Sequence, residues 1–141
     1  MLSVTEYSSD YMAACRARID VQLAAYRELA AAAGKQDGGD DAVAAFAPPF
    51  FANLVLALDM SFCHRARGQE GKDGNPMNEV RMLCTSILQN GGVLLADKQI
   101  RLKPETSVLG LAVGDEIRLS EADFVALSDA YFDAVARTYG A

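Results

Sequence analysis

The stretch from His64 to Arg81, HRARGQEGKDGNPMNEVR, concentrates the residue types that bind small anions. It holds four basic residues, the only histidine of the chain, three glycines and a proline within eighteen positions. A glycine-containing loop that leads into a helix exposes backbone N–H groups, and Arg65, Arg67 and Lys72 would add positive charge for a phosphate or carboxylate. The spacing matches neither the G-x-x-x-x-G-K-[ST] phosphate loop nor the G-x-G-x-x-G of dinucleotide folds. The alternative interpretation is a turn between two helices, in which the cations complement the negative end of a helix dipole.

Asp59 precedes this stretch and lies in a segment that is otherwise apolar on all sides. An unpaired buried carboxylate costs several kcal/mol, so we expect Asp59 to contact water, a tyrosine of another helix, or a cation such as Arg65 or Arg81. A structural ion pair is favoured over a catalytic acid. If these residues form a ligand site instead, their spacing predicts a small polar pocket around the 68–75 loop. Its ligand-binding residues would be Asp59, His64, Arg65, Lys72, Asn78 and Arg81.

The remaining polar residues predict no catalytic set, metal site or cofactor. His64 is the only histidine, and its neighbour Cys63 would point about 100° away on a helix, so the two cannot form a nucleophile–base pair. A zinc site would need Cys15, Cys63 and Cys84 to converge from separate helices without C-x-x-C spacing. We predict instead that the three cysteines are reduced thiols in the core of an intracellular protein.

Composition and charge disfavour several classes of protein. The chain has 141 residues, of which 51% are hydrophobic and 23% charged, so we expect one domain over residues 1–141 with a substantial core. A formal charge of −6 disfavours nucleic acid and anionic membranes as partners, since both require a surplus of Lys and Arg. The longest apolar stretch, FAPPFFANLVLALDM, contains two prolines, an asparagine and an aspartate, which argues against a membrane span or a signal sequence. A cytoplasmic location is therefore predicted.

The elements that must position the polar residues are mostly helical. A capping box at Ser3 and Glu6, followed by apolar residues at steps of three or four, predicts a first helix that ends near Ala33. After a glycine-rich loop, a short helical segment is predicted to end near residue 47. Pro48 and Pro49 would interrupt it, because a proline disfavours helical conformation in the residue before it.

A central helix, apolar nearly all the way round, is predicted over residues 50–66. It would place His64, Arg65 and Arg67 in its last turn. The next helix is predicted to begin with Asn75 as N-cap and Pro76 as first helical residue, and Gly91 and Gly92 would end it.

The pattern changes in the C-terminal third of the chain. KQIRLK and DEIRLS alternate apolar and charged residues on either side of VLGLAV, which predicts two or three short strands around residues 98–119. Ser120 and Asp123 then form a second capping box, and helical spacing continues to the end of the chain. The predicted fold class is mainly α: a helical bundle of about four to five helices with a small β-hairpin or ribbon, α-rich α+β at most.

The function predicted from these features is association rather than catalysis. The apolar central helix, the five dispersed tyrosines, and Phe50 and Phe51 beside the proline pair favour a non-enzymatic helical interaction or accessory protein. Such a protein would act as a small oligomer, most simply a homodimer, or through another protein partner. The alternative is a small-molecule site, binding or catalytic, for an anionic ligand (phosphate or carboxylate) at the 64–81 helix–loop–helix.

Overall fold

The computed structural model describes residues 3–141 and contains five helices packed together. They are α1 (Ser9–Ala33), α2 (Gly39–Met60), α3 (Arg67–Glu70), α4 (Pro76–Gln89) and α5 (Glu121–Tyr139). The chain is 60% helical, which confirms the mainly α prediction. Helix α2 packs against α1, α4 and α5 and is therefore central to the bundle, as its apolar sequence predicts. The core around it is built from apolar and aromatic side chains, among them Phe51, Val55, Leu58, Phe62, Val80, Phe124 and Tyr131.

The first helix starts later than the N-terminal capping box predicts. Ser8 rather than Ser3 is the N-cap, and its hydroxyl accepts a hydrogen bond from the N–H of Tyr11 at 3.1 Å. The residues before it are non-helical because Val4 pairs with the backbone of residues 64–66, donating at 2.8 Å and accepting at 2.7 Å. Backbone pairing with a distant segment thus outweighs the local cap.

Helix α2 is continuous, and the predicted break at Pro48 and Pro49 is wrong. The two prolines cannot donate to the carbonyls of Ala44 and Ala45, which lie four residues before them. Ala44 and Ala45 are exposed, so water can hydrogen-bond to these carbonyls. The helix also ends at Met60, before the predicted end at residue 66.

Residues 61–66 form a turn instead of the last turns of α2. His64 and Arg65 therefore do not lie at the C-terminus of a helix, and Arg67 begins α3. The turn buries Phe62, and its backbone pairs with Val4. These basic residues therefore do not complement the dipole of a helix, and the alternative interpretation of them is wrong.

The predicted β-hairpin or ribbon around residues 98–119 is also wrong, because residues 3–141 contain isolated bridges but no β-strand. Several backbone N–H groups of this segment donate hydrogen bonds to residues outside it. The N–H groups of Val108 and Leu109 donate to the carboxylate of Glu79 at 2.8 and 3.0 Å, and the N–H of Arg101 donates to the carbonyl of Lys72 at 3.0 Å. The segment covers the bundle as an irregular loop, and its apolar side chains pack on the core.

The starts of α4 and α5 agree with the prediction. The Asn75 side chain accepts hydrogen bonds from two backbone N–H groups of α4 at 2.9 and 3.1 Å, with Pro76 in the first helical position. Ser120 and Asp123 form the predicted reciprocal capping box of α5. Asn75 thereby fixes the position at which the 68–75 loop meets α4.

Candidate functional site

Arg65 is the centre of a buried ion cluster, which we define as Asp59, Arg65, Glu70 and Arg81. The side chain of Arg65 is 0% exposed. Its Nη1 donates to Oδ1 of Asp59 at 2.9 Å, and its Nε donates to Oε1 of Glu70 at 2.6 Å. Its Nη2 also lies 2.6 Å from Oε1 of Glu70, in ionic contact but without the alignment of a hydrogen bond. One guanidinium therefore faces two carboxylates.

Glu70 joins Arg65 to a second arginine. Arg81 donates from Nε to Oε2 at 3.0 Å and from Nη2 to Oε1 at 2.7 Å, a two-pronged pair that fixes both side chains. Asn78, fully buried, donates from Nδ2 to Oε2 at 3.0 Å. Burial by itself raises the pKa of Glu70, but the hydrogen bond from Arg81 and the charge of Arg65 outweigh it, so the pKa is lowered. Glu70 is therefore held in its ionised form.

Tyr131 closes the cluster from the side of α5. Its hydroxyl donates to Oδ1 of Asp59 at 3.2 Å and accepts from Nη1 of Arg65 at 3.3 Å. Burial, which Arg65 only partly offsets, raises the pKa of Tyr131 and keeps its hydroxyl protonated. Burial would also lower the pKa of Arg65, but its anionic and phenolic neighbours hold that pKa above the ordinary value. Asp59 thus has both predicted kinds of partner, a cation and a tyrosine of another helix.

Together with Tyr131 of α5, the ion cluster connects four helices and the turn after α2. Asp59 lies at the end of α2, Arg65 in the turn, Glu70 at the end of α3 and Arg81 on α4. The amide of Asn75 donates to the carbonyl of Glu70 at 2.7 Å and holds the short α3 against the start of α4. The two cations and two carboxylates balance, so an incoming anion would have to displace a carboxylate. Chemically, the arrangement supplies a cross-link rather than a reactive group.

Four of the six residues predicted for a ligand site come together in or beside the ion cluster: Asp59, Arg65, Asn78 and Arg81. The other two, His64 and Lys72, are exposed. Lys72 lines a surface cavity of about 240 Å³ together with Arg67, Asp97 and Gln99. The structure therefore separates the predicted site into a buried part that is internally paired and a solvent-exposed part.

Sequence reasoning missed Glu70, the carboxylate that both arginines contact. Its only signal is that it is the one acidic residue in the basic segment RARGQEGK. Glu79, which lies beside Asn78 on α4, has a separate role. It is buried and accepts the two loop N–H groups described above.

The cysteines are free thiols, but they differ in burial. Cys15 and Cys84 are buried as predicted, whereas Cys63 is exposed, so its predicted place in the core is wrong. Burial, with the nearby charge of Asp59, raises the pKa of Cys84 to about 12, so this thiol stays protonated at neutral pH. Within residues 3–141, no group of three or more His, Cys, Asp or Glu side chains is arranged to hold a metal ion.

The second candidate site is an exposed apolar surface on α2. Six exposed residues recur at steps of three or four and fall within about 80° of the helix circumference over about 27 Å. We call them the α2 stripe: Ala42, Phe46, Pro49, Asn53, Ala57 and Met60. Phe46 is 42% exposed and Met60 is 68% exposed. Asn53 is the one polar member, and α2 carries no charged residue from position 42 to position 58.

Within residues 3–141, α2 is the one helix long and apolar enough to cross a membrane, judged by length and composition alone. Only 22% of its most apolar 18-residue window is buried, although the opposite face of the helix contributes to the core. A groove of about 190 Å³ runs beside the stripe between α1 and α2, bordered by Arg18, Ile19, Ala57 and Ser61. The stripe is therefore an apolar helix face that no other part of residues 3–141 covers.

No protein-family model matches this chain, and no curated protein or solved structure matches it at a significant level. The ion cluster and the α2 stripe, taken from the chain itself, are therefore the basis for assigning a function.

Proposed function

We propose that this protein acts by association: it is a non-enzymatic helical interaction or accessory protein that forms a small oligomer through the α2 stripe. The observation that carries the proposal is the exposure of this stripe, which is uncharged from position 42 to position 58. Contiguous apolar surface on a folded protein marks an interaction site more often than scattered single residues do. Phe46 and Met60 supply the aromatic and thioether side chains that are enriched at interfaces.

The ion cluster supports the same proposal, because its charged groups are paired with one another. A catalytic acid or an anion receptor needs a charged group that can still exchange a proton or accept a ligand. Arg65 and Arg81 instead contact Glu70, and Asp59 contacts Arg65 and Tyr131. These residues stabilise the position of α2, which presents the stripe to solvent.

The proposal is tested by comparing the mass of the native protein with that of Asn53→Asp, using native mass spectrometry and sedimentation over a range of concentrations. Asn53 lies in the middle of the stripe and is exposed, so the substitution adds a charge with almost no change of shape. We expect the wild-type chain to form a small oligomer and Asn53→Asp to weaken it on the order of tenfold, because the interface must desolvate the new carboxylate.

Gln89→Glu is the matched control, because it makes the same amide-to-carboxylate change on an exposed surface of α4. It lies next to Leu88, another exposed apolar residue, so it also tests that surface as the site of association. A monomer at concentrations near 100 µM, well above a micromolar dissociation constant, would contradict the proposal. So would an oligomer that Gln89→Glu weakens and Asn53→Asp leaves intact.

The cavity beside α3 favours a second candidate function, the binding of a small anion such as phosphate. Arg67 and Lys72 line it and are exposed, although Glu70 and Asp97 in the same wall reduce the positive potential. The test is the melting temperature in rising inorganic phosphate, with sodium chloride at equal ionic strength as reference. Binding predicts a rise that the double variant Arg67→Ala/Lys72→Ala abolishes, and no rise contradicts it.

A further inference from the structure

From Phe46 to Met60, the residues of the α2 stripe are spaced symmetrically about Asn53. Phe46 lies seven residues before Asn53 and Met60 lies seven residues after it, while Pro49 and Ala57 lie four residues before and after it. Two large side chains therefore flank two smaller ones, with an amide in the middle. A helix face with this order can pack on an antiparallel copy of itself. Each residue then lies opposite the residue of the other copy that is equally far from Asn53 in the other direction along the chain.

We infer that a second copy of this chain packs antiparallel on the α2 stripe, with the two-fold axis at Asn53. This inference rests on the proposed function, for which it specifies the partner. Pro49 of each copy faces Ala57 of the other, and these smaller side chains allow the helix axes to approach. Phe46 of each copy faces Met60 of the other, a sulfur–aromatic contact.

Asn53 is suited to the axis of such a pair. An amide both donates and accepts, so two copies of one asparagine can satisfy each other across a two-fold axis. Asn53 is exposed, so its amide is accessible to the same residue of a second copy. A single polar residue in an otherwise apolar helix seam also fixes the register, because a shifted pairing leaves the amide against apolar atoms.

The groove between α1 and α2 supplies a second, independent feature of the pairing. Ala57 and Ser61 border it, so it lies beside the place where Phe46 of the second copy arrives. Its volume of about 190 Å³ gives room for a phenyl ring. The stripe and this groove together therefore form a surface that the same surface on another copy fills.

Charge disfavours an anionic lipid surface as the occupant. Asp40, Asp41 and Asp59 lie near the two ends of the stripe, and the whole chain carries a formal charge of −6. A helix that binds an anionic membrane surface needs basic residues beside its apolar face. Asp59 is moreover tied to Arg65 at 2.9 Å and is not free to move into a bilayer.

The size of the surface predicts a weak, reversible dimer. A face about 27 Å long and about one helix diameter wide covers roughly 300 Å² on each copy, which is below the size of standard specific interfaces. We therefore expect a dissociation constant on the order of micromolar, so that dilution into the nanomolar range separates the copies.

The test is site-specific cross-linking with a short bis-maleimide reagent in a Cys63→Ser background, since Cys63 is exposed and Cys15 and Cys84 are buried. Chains carrying Phe46→Cys and Met60→Cys are co-expressed with tags of different mass. The antiparallel pairing predicts the mixed 46–60 product, while 46–46 and 60–60 positions lie about 21 Å apart and stay unlinked. Asn53→Cys alone should cross-link to itself, and the Cys63→Ser parent should give no product.

A 46–46 or 60–60 product in excess of the mixed one overturns the inference, because it shows that the two stripes pack parallel. Such a result leaves the proposed function intact, since the chain would still associate through α2. A monomeric wild-type chain in the mass measurement would instead overturn the proposed function and the inference together. A soluble, folded Asn53→Cys variant that forms dimers but no 53–53 product also overturns the two-fold axis at Asn53.

Discussion

The ion cluster and the α2 stripe reverse the usual distribution of charged and apolar groups. Arg65 and Glu70 are almost fully buried, whereas Phe46 and Met60, on the most apolar helix of the chain, are exposed. The two regions meet on α2, since Asp59 of the ion cluster directly precedes Met60 of the stripe. The buried charges are satisfied within the chain, while the exposed apolar groups are not covered by it. The difference indicates that the ion cluster maintains the structure and that the stripe is the surface available for function.

The largest expected effect comes from removing the central cation of the ion cluster. Arg65→Met leaves Asp59 and Glu70 without their shared guanidinium, and breaking a buried pair in this way costs about 3–5 kcal/mol. Urea unfolding measures the change, with Arg67→Met, an exposed neighbour, as control. If Arg65→Met lowered the free energy of unfolding by less than about 1 kcal/mol, the cluster would be no stronger than surface ion pairs. The ion cluster would then not be a structural counterpart to the stripe.

The next effect concerns Glu70 and depends on pH. Glu70→Gln should cost about 2–3 kcal/mol at neutral pH, since it weakens charge-assisted hydrogen bonds to two arginines. Because the pKa of Glu70 is lowered from its ordinary 4.5, its contribution is complete above that pH and is lost as the pH falls from 4.5 through the folded pKa. Unfolding measured between pH 7 and pH 3 should therefore show the stability difference between wild type and Glu70→Gln narrowing below about pH 4.5. If the stability difference between wild type and Glu70→Gln stayed constant over this pH range, Glu70 would not be held in its ionised form by the two arginines.

A smaller effect is expected at Glu79, where a buried carboxylate orders the loop that covers the bundle. Glu79→Gln keeps one acceptor oxygen and replaces the other with an amide donor, so one of the two loop hydrogen bonds is lost. This loss should lower the free energy of unfolding by about 1–2 kcal/mol. Amide hydrogen exchange at Val108 and Leu109 should speed up, which locates the change in the loop. Glu116→Gln is the matched control, since Glu116 is exposed, and it should leave these amides unchanged.

The smallest effect on stability is expected on the stripe. Met60→Gln should change the unfolding free energy of the diluted, monomeric protein by no more than about 0.5 kcal/mol, because an exposed side chain contributes little to the fold. Leu58→Gln, two residues earlier and fully buried, should cost about 3 kcal/mol or more. Equal losses for the two variants would show that Met60 belongs to the core, and the stripe would no longer be a free surface.

The helix starts show how far local sequence reasoning extends. Asn75-Pro76 and Ser120 with Asp123 predict the starts of α4 and α5 correctly, because an N-cap acts on N–H groups two or three residues away. Ser3 and Glu6 carry the same signal, but Val4 pairs with residues 64–66, and a contact over that distance leaves no local pattern. The alternating residues around 98–119 likewise resemble strands, although the N–H of Arg101 donates to the carbonyl of Lys72 and the N–H of Ile117 to that of Gly92.

The candidate site is likewise predictable from the sequence only in part. Asp59 inside an apolar segment predicts a buried carboxylate with a cation or tyrosine partner, because the energetic cost of burying an unpaired charge follows from composition alone. Which cation it meets, and that Glu70 joins Arg65 to Arg81, depends on four helices converging. The apolar character of α2 is visible in the sequence, whereas the exposure of one face of it is not.

The sequence by itself determined that this protein is mainly helical, where α4 and α5 begin, and that Asp59 requires a partner. These properties depend on hydrogen bonds and side-chain periods within a few residues, or on the cost of an unpaired charge. The tertiary structure alone decided that α2 continues through Pro48 and Pro49, that Arg65 and Arg81 are neutralised by Glu70 and Asp59, and that the α2 stripe stays uncovered. Each of these depends on contacts between residues far apart in the chain, which burial and charge pairing select only when the whole bundle forms.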